Sequence, residues 1–531
     1  MKRIFTQFAL LVSMAGFLML PSVWAATPKD TLIVARNLST FLSMDPQEAF
    51  EISSGNTLNA LYLRLVQHDP TDFNQIIPGV AKSWDQDSNG KQITFQIRDD
   101  LVFQSGNPVT AEDAEFSLQR GILMDKQAAI ILRQLGWNKD NVKQHVRADG
   151  NQLVLTFDEP YAIDLVLSAL SAAIGSVVDK KVVLANEKDG DMGNGWLRTN
   201  SAGAGAYRLV EWKPKEVAVL EAFADYKGGT APKLKRVIIR HVGEASAQRL
   251  LLEKGDVDVA YDLNADQIKG LADNSNVDVI QIPRGTIHYL VLNTANPQLA
   301  KPEVWKAFRW LIDYEGITDH LFHGMYKNNQ SPLAGGVAGA LSEQPYKLDV
   351  EKAKGLLAEA GVPNGFSVSM DVLGVTPYSE VSQALQASFA EAGIQVDLKA
   401  GESSQVLTRY RERRYDMLVF VWAPDISDPS LTMEFFSRNS DNEDSATNKN
   451  AAWRAGWLTP ELTAQADLAA HEVDNDRRLQ IYGEMQQKLR DESPFVFITQ
   501  QLEAIAVRSN VKNYVGGITF DSTPFHIIEK Q

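Results

Sequence analysis

An acidic residue just after an apolar run is the first candidate for binding chemistry in this sequence. Residues 417–421 are apolar on both faces, which is typical of a central parallel strand covered by helices. The run continues into Trp422 and, three residues later, Asp425, and ligands of open α/β sheets bind beyond the carboxyl ends of strands. A buried carboxylate there would form a charge-assisted hydrogen bond that only a cationic ligand can complete. Position therefore makes this loop the first place to look for a ligand site, with Asp425 as its leading candidate.

The same loop also allows a structural interpretation. Asp428 directly precedes Pro429, a pair typical of a helix N-cap followed by the first helical residue. Asp425 or Asp428 could therefore cap a helix. Both stay candidate ligand contacts, with capping as the alternative for each.

Motifs of common catalytic and cofactor sites are absent from the sequence. It contains no Cys, no GxxxxGK[ST] phosphate loop, no GxSxG nucleophile elbow and no HExxH zinc motif. His320 and His323 could share a helix face, but no third metal ligand accompanies them. We predict a protein that is not an enzyme and binds no cofactor and no metal. An exported hydrolase is the alternative, and its nucleophile and base are not evident.

The N-terminus is typical of a cleaved secretory signal peptide. Lys2 and Arg3 precede an apolar run that ends in small residues near Ala25. The run is shorter than the roughly 20 residues that a membrane anchor needs. We predict that residues 1–25 are removed and that the mature chain lies in the periplasm.

Size and charge narrow the class of protein further. The remaining 506 residues (531 minus 25) exceed what one core supports, so at least two lobes are expected. Loss of Lys2 and Arg3 changes the formal charge from −15 to −17. An acidic surface disfavours nucleic acid and anionic lipid as partners.

Short apolar strands alternate with amphipathic helices, which predicts an α/β fold. A strand at 236–240, a helix ending at Gly255 and a strand at 257–260 form a β-α-β unit, which implies parallel pairing. Thr110 and Asp113 have the spacing of a capping box.

Residues 81–120 form a long motif with Trp84, a turn at Gly90, an alternating strand at 93–98 and the Thr110 helix start. Further short motifs follow in order: GDVD at 255–258, PNGF at 363–366 and ESP at 492–494. Together they resemble bacterial solute-binding protein family 5, the oligopeptide-, dipeptide- and nickel-binding components of ABC importers. The resemblance spans essentially the whole mature chain.

This resemblance implies a two-lobed α/β periplasmic binding protein of the class II type, with an extra inserted domain and a two-strand hinge. Lobe I would comprise residues 26–72, 190–288 and 500–531, with the inserted domain at 73–189 and lobe II at 289–499. Apolar strands at 287–293 and 495–499 could form the two crossings. Paired crossings permit hinge closure around a ligand.

The resemblance also implies roles for site residues. In peptide-binding members, the Asp of a W-x-x-D arrangement pairs with the peptide α-ammonium and the Trp walls the cavity, roles that fall to Asp425 and Trp422. Tyr261 occupies the analogous strand end of the first lobe, and Ser53 and Ser54 lie in a segment that often faces the cleft.

Two positions depart from the pattern of peptide binders. Thr376 stands where dipeptide binders carry an arginine for the ligand carboxylate, and Val419 stands where oligopeptide binders have one. The cargo is thus left open between a longer peptide, a modified amino compound and another amine.

The sequence as a whole predicts the solute-binding component of an ABC importer that captures a peptide or related amine-bearing solute by hinge closure. Its predicted partners are that ligand and ABC permease subunits in the inner membrane, with no nucleic acid, and the chain is expected to be a monomer. The alternatives are a binding protein for an opine, a sugar derivative or a metal chelate, and a ligand-presenting partner of a chemoreceptor.

Overall fold

A computed structural model describes residues 27–531, so the predicted signal peptide lies outside the described residues. The strands are β1 (Thr31–Arg36), β2 (Val66–His68), β3 (Ile76–Pro78), β4 (Ala81–Gln86), β5 (Gln92–Ile97), β6 (Val146–Asp149), β7 (Gln152–Thr156), β8 (Tyr207–Lys213), β9 (Val217–Ala222), β10 (Arg236–His241), β11 (Val259–Ala260), β12 (Val277–Leu292), β13 (Tyr326–Asn328), β14 (Ser367–Leu373), β15 (Gln395–Gly401), β16 (Met417–Trp422), β17 (Phe495–Arg508), β18 (Val511–Lys512) and β19 (Glu529–Lys530).

The α-helices are α1 (Gly55–Leu61), α2 (Ala111–Leu123), α3 (Ile130–Arg133), α4 (Val142–His145), α5 (Ile163–Leu170), α6 (Lys180–Ala185), α7 (Asn194–Leu197), α8 (Ala245–Lys254), α9 (Ala265–Lys269), α10 (Pro302–Arg309), α11 (Val350–Glu359), α12 (Tyr378–Glu391), α13 (Ser403–Arg411), α14 (Ser430–Ser437), α15 (Ala451–Arg454), α16 (Pro460–Ala470) and α17 (Asn475–Glu492). None of the helices within residues 27–531 has both the length and the apolar character needed to span a bilayer.

One large sheet runs through both halves of the molecule. Its strand order is β15-β14-β16-β12-β17-β11-β1-β10-β9-β8, with β13 paired to β17 outside this order. We call the half built on β1 and β8–β11 lobe I, and the half built on β14–β16 lobe II. The long antiparallel strands β12 and β17 belong to both, and their register shifts between Pro283 and Ile287. They form the two-strand hinge. The predicted crossing at 495–499 is part of β17, and the one at 287–293 belongs to β12 as far as Leu292, where the strand ends.

The β-α-β unit predicted in lobe I is present. β10 and β11 both pair with β1 in parallel, one on each side of it. Helix α8 connects them and ends at Gly255, whose φ of 82° lies in the left-handed region that glycine adopts without strain. The second strand is shorter than predicted, because only Val259 and Ala260 pair.

The prediction that residues 417–421 form a central parallel strand is correct on one side only. β16 pairs in parallel with β14 but antiparallel with β12. The reason is that β12 enters lobe II from lobe I as a hinge strand, so its direction is set by the crossing. An apolar run reports burial on both faces and does not report the direction of its neighbours.

A separate antiparallel sheet, with the order β4-β5-β7-β6, lies within the predicted inserted domain. Ile93, Phe95, Leu153 and Leu155 are buried in its core. The neighbouring helix α2 begins with the predicted capping box, in which Thr110 and Asp113 bond reciprocally. The exact boundaries of the domains stay a prediction.

Candidate functional site

Asp425 lies in the loop after β16, at a cavity where lobe II meets lobe I and the inserted domain. Its side chain is half-buried and accepts no hydrogen bond from the described part of the chain. Burial raises the pKa of this carboxyl to about 7, and the nearby Asp521 carboxylate acts in the same direction. A cation that reaches such an isolated carboxylate stabilises its charged form through a charge-assisted bond.

The walls of this cavity are mainly apolar. They come from residues around α1, from the inserted domain, from the β16 loop and from the C-terminal segment, and include Phe50, Ile131, Ile174 and Phe520. The cavity has a volume of about 90 Å³ and opens to solvent. Small-ligand sites are typically lined by apolar side chains with a few polar groups among them.

The charged lining includes two residues that the sequence reasoning did not select, Glu51 and Asp521. Asp521 pairs with the buried Arg64 at 2.7 Å. Burial raises the pKa of the Glu51 carboxyl, and the Glu48 charge adds to that effect. Glu51 precedes the predicted site residues Ser53 and Ser54 by only a few residues, so a wider segment around them would have included Glu51. No local sequence pattern marks Asp521.

The segment that carries Asp521 is held to the hinge by Arg284 of β12. The Arg284 guanidinium is fully buried and pairs with Glu503 of β17. Its Nη1 also donates to the carbonyl oxygens of Gly517 and Thr519, at 2.7 Å each. This wall of the cavity is therefore anchored to both hinge strands.

Trp422 is held by lobe II itself. Its indole N–H donates to Thr432 Oγ1 at 2.8 Å, and its ring stacks on Phe435 with centroids 3.9 Å apart. It does not line the cavity at Asp425. Its predicted role in walling the ligand stays a prediction.

Asp428 is buried and fully engaged by protein groups. Its two carboxylate oxygens accept from Arg478 of α17 at 2.7 and 3.1 Å, and one also accepts from the Ser430 backbone N–H at 2.9 Å. Ser430 is the first residue of α14 and Pro429 is its N-cap, so Asp428 lies one residue before the N-cap and not at it as predicted. Its bond to the Ser430 N–H spans two residues and forms a turn at the helix start, which is not the bond of an N-cap side chain.

The other site residues predicted from the sequence lie either at the cavity or in the core of lobe I. Ser54 lines the cavity and donates to the Glu51 carbonyl oxygen at 2.8 Å. Ser53 accepts from Thr40 at 3.0 Å, and Tyr261 is buried with its hydroxyl 3.2 Å from Glu503. The structure thus brings Asp425 and Ser54 together, and it places Ser53, Tyr261, Trp422 and Asp428 away from this cavity.

The two positions that lack the arginines of peptide binders also lie outside this cavity. Thr376 is exposed and donates to Glu380, and Val419 is buried within β16. Across residues 27–531, no group of three or more His, Asp or Glu side chains is arranged to hold a metal ion.

Two lobes on a two-strand hinge, with an apolar cavity between them, define a solute-binding protein. Residues 75–444 match the model described as bacterial extracellular solute-binding proteins, family 5. The chain therefore belongs to family 5 of the bacterial extracellular solute-binding proteins, and the predicted family and fold class are confirmed. Because its relatives are binding proteins, the prediction that it is not an enzyme is confirmed as well.

Three similar proteins illustrate the family. The probable D,D-dipeptide-binding periplasmic protein DdpA of Escherichia coli K12 is 27% identical, over 93% of each chain. The DppA protein of Helicobacter pylori, solved with the peptide STSA, is 23% identical with a TM-score of 0.74, covering 94% of this chain and 98% of that one. AgaA of A. tumefaciens R10, solved with agropinic acid, is 22% identical with a TM-score of 0.72, covering 94% and 99%.

Proposed function

We propose that this protein captures a peptide or a related amine-bearing solute between its lobes in the periplasm and delivers it to the permease of an ABC importer. The observation that carries the proposal is the Asp425 carboxyl group, which lines the cavity between the lobes and has no hydrogen-bond or ion-pair partner among residues 27–531. An ammonium group would complete a charge-assisted bond there, and the apolar walls would take the rest of the solute.

The named relatives support the peptide class. DdpA is named for D,D-dipeptides, and the Helicobacter pylori protein was solved with a tetrapeptide. An opine is the second candidate, because AgaA, which shares the fold, was solved with agropinic acid.

Isothermal titration calorimetry with L-Ala-L-Ala, D-Ala-D-Ala, STSA and agropinic acid tests the proposal. We expect Asp425→Ala to lower the affinity for the peptide that binds by at least about 30-fold, roughly 2 kcal/mol, because a desolvated charge pair is lost. Blocking the peptide amine by acetylation should weaken binding to the wild type similarly.

Asp273→Ala, at an exposed position remote from this cavity, serves as the matched control and should bind like the wild type. Undiminished affinity in Asp425→Ala would refute the role of the carboxylate. Binding of agropinic acid alone would favour the opine.

A further inference from the structure

The charges around the cavity are unbalanced. Among the described residues that line it, the ionisable side chains are Glu51, Asp425 and Asp521, and none is Lys, Arg or His. Asp521 is compensated from behind by Arg64, whose side chain is only 6% exposed. Glu51 and Asp425 form no ion pair within the described chain, so two acidic side chains face the cavity without a compensating cation.

A zwitterionic solute fits this balance poorly. Its ammonium could pair with Asp425, but its carboxylate would enter a space whose walls are apolar or acidic. A carboxylate that loses water there without gaining a cation is strongly disfavoured. The Arg64 guanidinium offers no free partner, because it already holds Asp521 and the carbonyl oxygen of Ser171.

A solute with net positive charge fits both acids. Burial disfavours the ionised forms of Glu51 and Asp425 in the ligand-free cavity, and a cation next to them reverses that cost. Opposite charges also accelerate capture and exclude wrong partners.

We propose that this cavity selects amine-bearing solutes of net positive charge, whose carboxyl group is absent, amidated or balanced by a second basic group, with Glu51 and Asp425 as the two specificity-determining acids. This inference rests on the proposed function and narrows its ligand class. Asp425 takes part in both the amine contact and the charge preference, and Glu51 is the acid that adds the preference for net positive charge.

Calorimetry at pH 7.5 with a charge-matched series tests the inference. The probes are L-Ala-L-Ala-NH2 (cationic), L-Ala-L-Ala (zwitterionic) and L-Lys-L-Ala (a zwitterion with one extra cation). We expect the amide and the lysyl peptide each to bind at least about tenfold more tightly than L-Ala-L-Ala. Equal or weaker binding of the two cationic peptides overturns the inference, whereas an Asp425-dependent affinity for L-Ala-L-Ala would leave the proposed function standing.

Two variants each remove one negative charge from the cavity wall. Glu51→Gln should lower the affinity for the amide about three- to tenfold and leave that for L-Ala-L-Ala nearly unchanged. Asp521→Asn leaves the Arg64 charge uncompensated, so the preference for the amide over L-Ala-L-Ala should shrink or reverse.

Asp273→Asn is the control for both. If Asp521→Asn fails to fold, Glu51→Gln decides, because this half-buried side chain forms no ion pair among the described residues. An amide preference that stays unchanged in Glu51→Gln overturns the inference.

Discussion

The Asp425 carboxyl group combines accessibility to a ligand with an unfavourable environment for its own charge. Its pKa of about 7 lies far above that of an ordinary aspartate because burial and Asp521 both oppose ionisation. The ligand-free site is therefore less stable with the charge than without it. Binding sites commonly hold such poorly satisfied groups, which the ligand then satisfies.

This environment predicts how stability depends on pH. The folded state holds the Asp425 proton more tightly than the unfolded chain, so this group lowers stability progressively as pH rises from about 4 to about 7. Asp425→Asn removes the effect. Without ligand, we expect the variant to melt roughly 1–3 °C above the wild type at pH 8 and within error of it at pH 4.

Thermal unfolding followed by circular dichroism between pH 4 and 8 measures this difference, with Asp273→Asn as the control. A variant that melts below the wild type at pH 8 would show that the charge has a stabilising partner in the ligand-free protein.

At the level of elements, the loop after β16 is positioned by the two helices that pack beside it. Asp428 links the start of α14 to Arg478 of α17, and the exposed fractions of the two side chains are only 3% and 1%. A buried ion pair of this kind adds little net stability, but losing one partner strands the other charge. The pair therefore holds the loop that presents Asp425.

We predict that Arg478→Met lowers the free energy of unfolding by about 3 kcal/mol, because Asp428 is left buried and unpaired. Adding Asp428→Asn should recover more than half of the loss, since the stranded charge is gone. Denaturant unfolding of both single variants and the double variant measures the coupling. If Asp428→Asn instead abolished ligand binding without changing stability, Asp428 would be a ligand contact after all.

At the level of the whole molecule, lobe II contacts the inserted domain directly. Ile426 is buried in the core of that domain, next to Asp425, the proposed ligand contact. Ser430 Oγ lies 3.4 Å from Gln134 Oε1, and His471 Nδ1 donates to the Pro160 carbonyl at 3.1 Å. These contacts join lobe II to the inserted domain, so they stabilise a closed arrangement.

We predict that the radius of gyration from small-angle scattering decreases when ligand saturates the wild-type protein, because the hinge closes. Ile426→Asp should suppress the decrease and weaken binding, since closure would bury an unpaired carboxylate. Ile426→Leu should behave like the wild type. An unchanged radius of gyration in the wild type at saturation would count against closure.

The sequence by itself determined features that depend on neighbours along the chain. The Thr110 capping box and the Gly255 helix end are set by bonds within a few residues, and both are present. Asp425 could be chosen as a candidate site residue because it follows a strand that the apolar run at 417–421 predicts. Its role as a ligand contact is still a prediction.

Only the tertiary structure decided which distant side chains share an environment. Asp521 reaches the cavity from the C-terminal segment, and Arg478 reaches Asp428 from a helix 50 residues away. The antiparallel neighbour of β16 likewise follows from the path of the hinge strand. Charge balance and burial depend on distances in space, and a sequence pattern encodes only distances along the chain. The charge environment of the site therefore emerged only from the folded molecule.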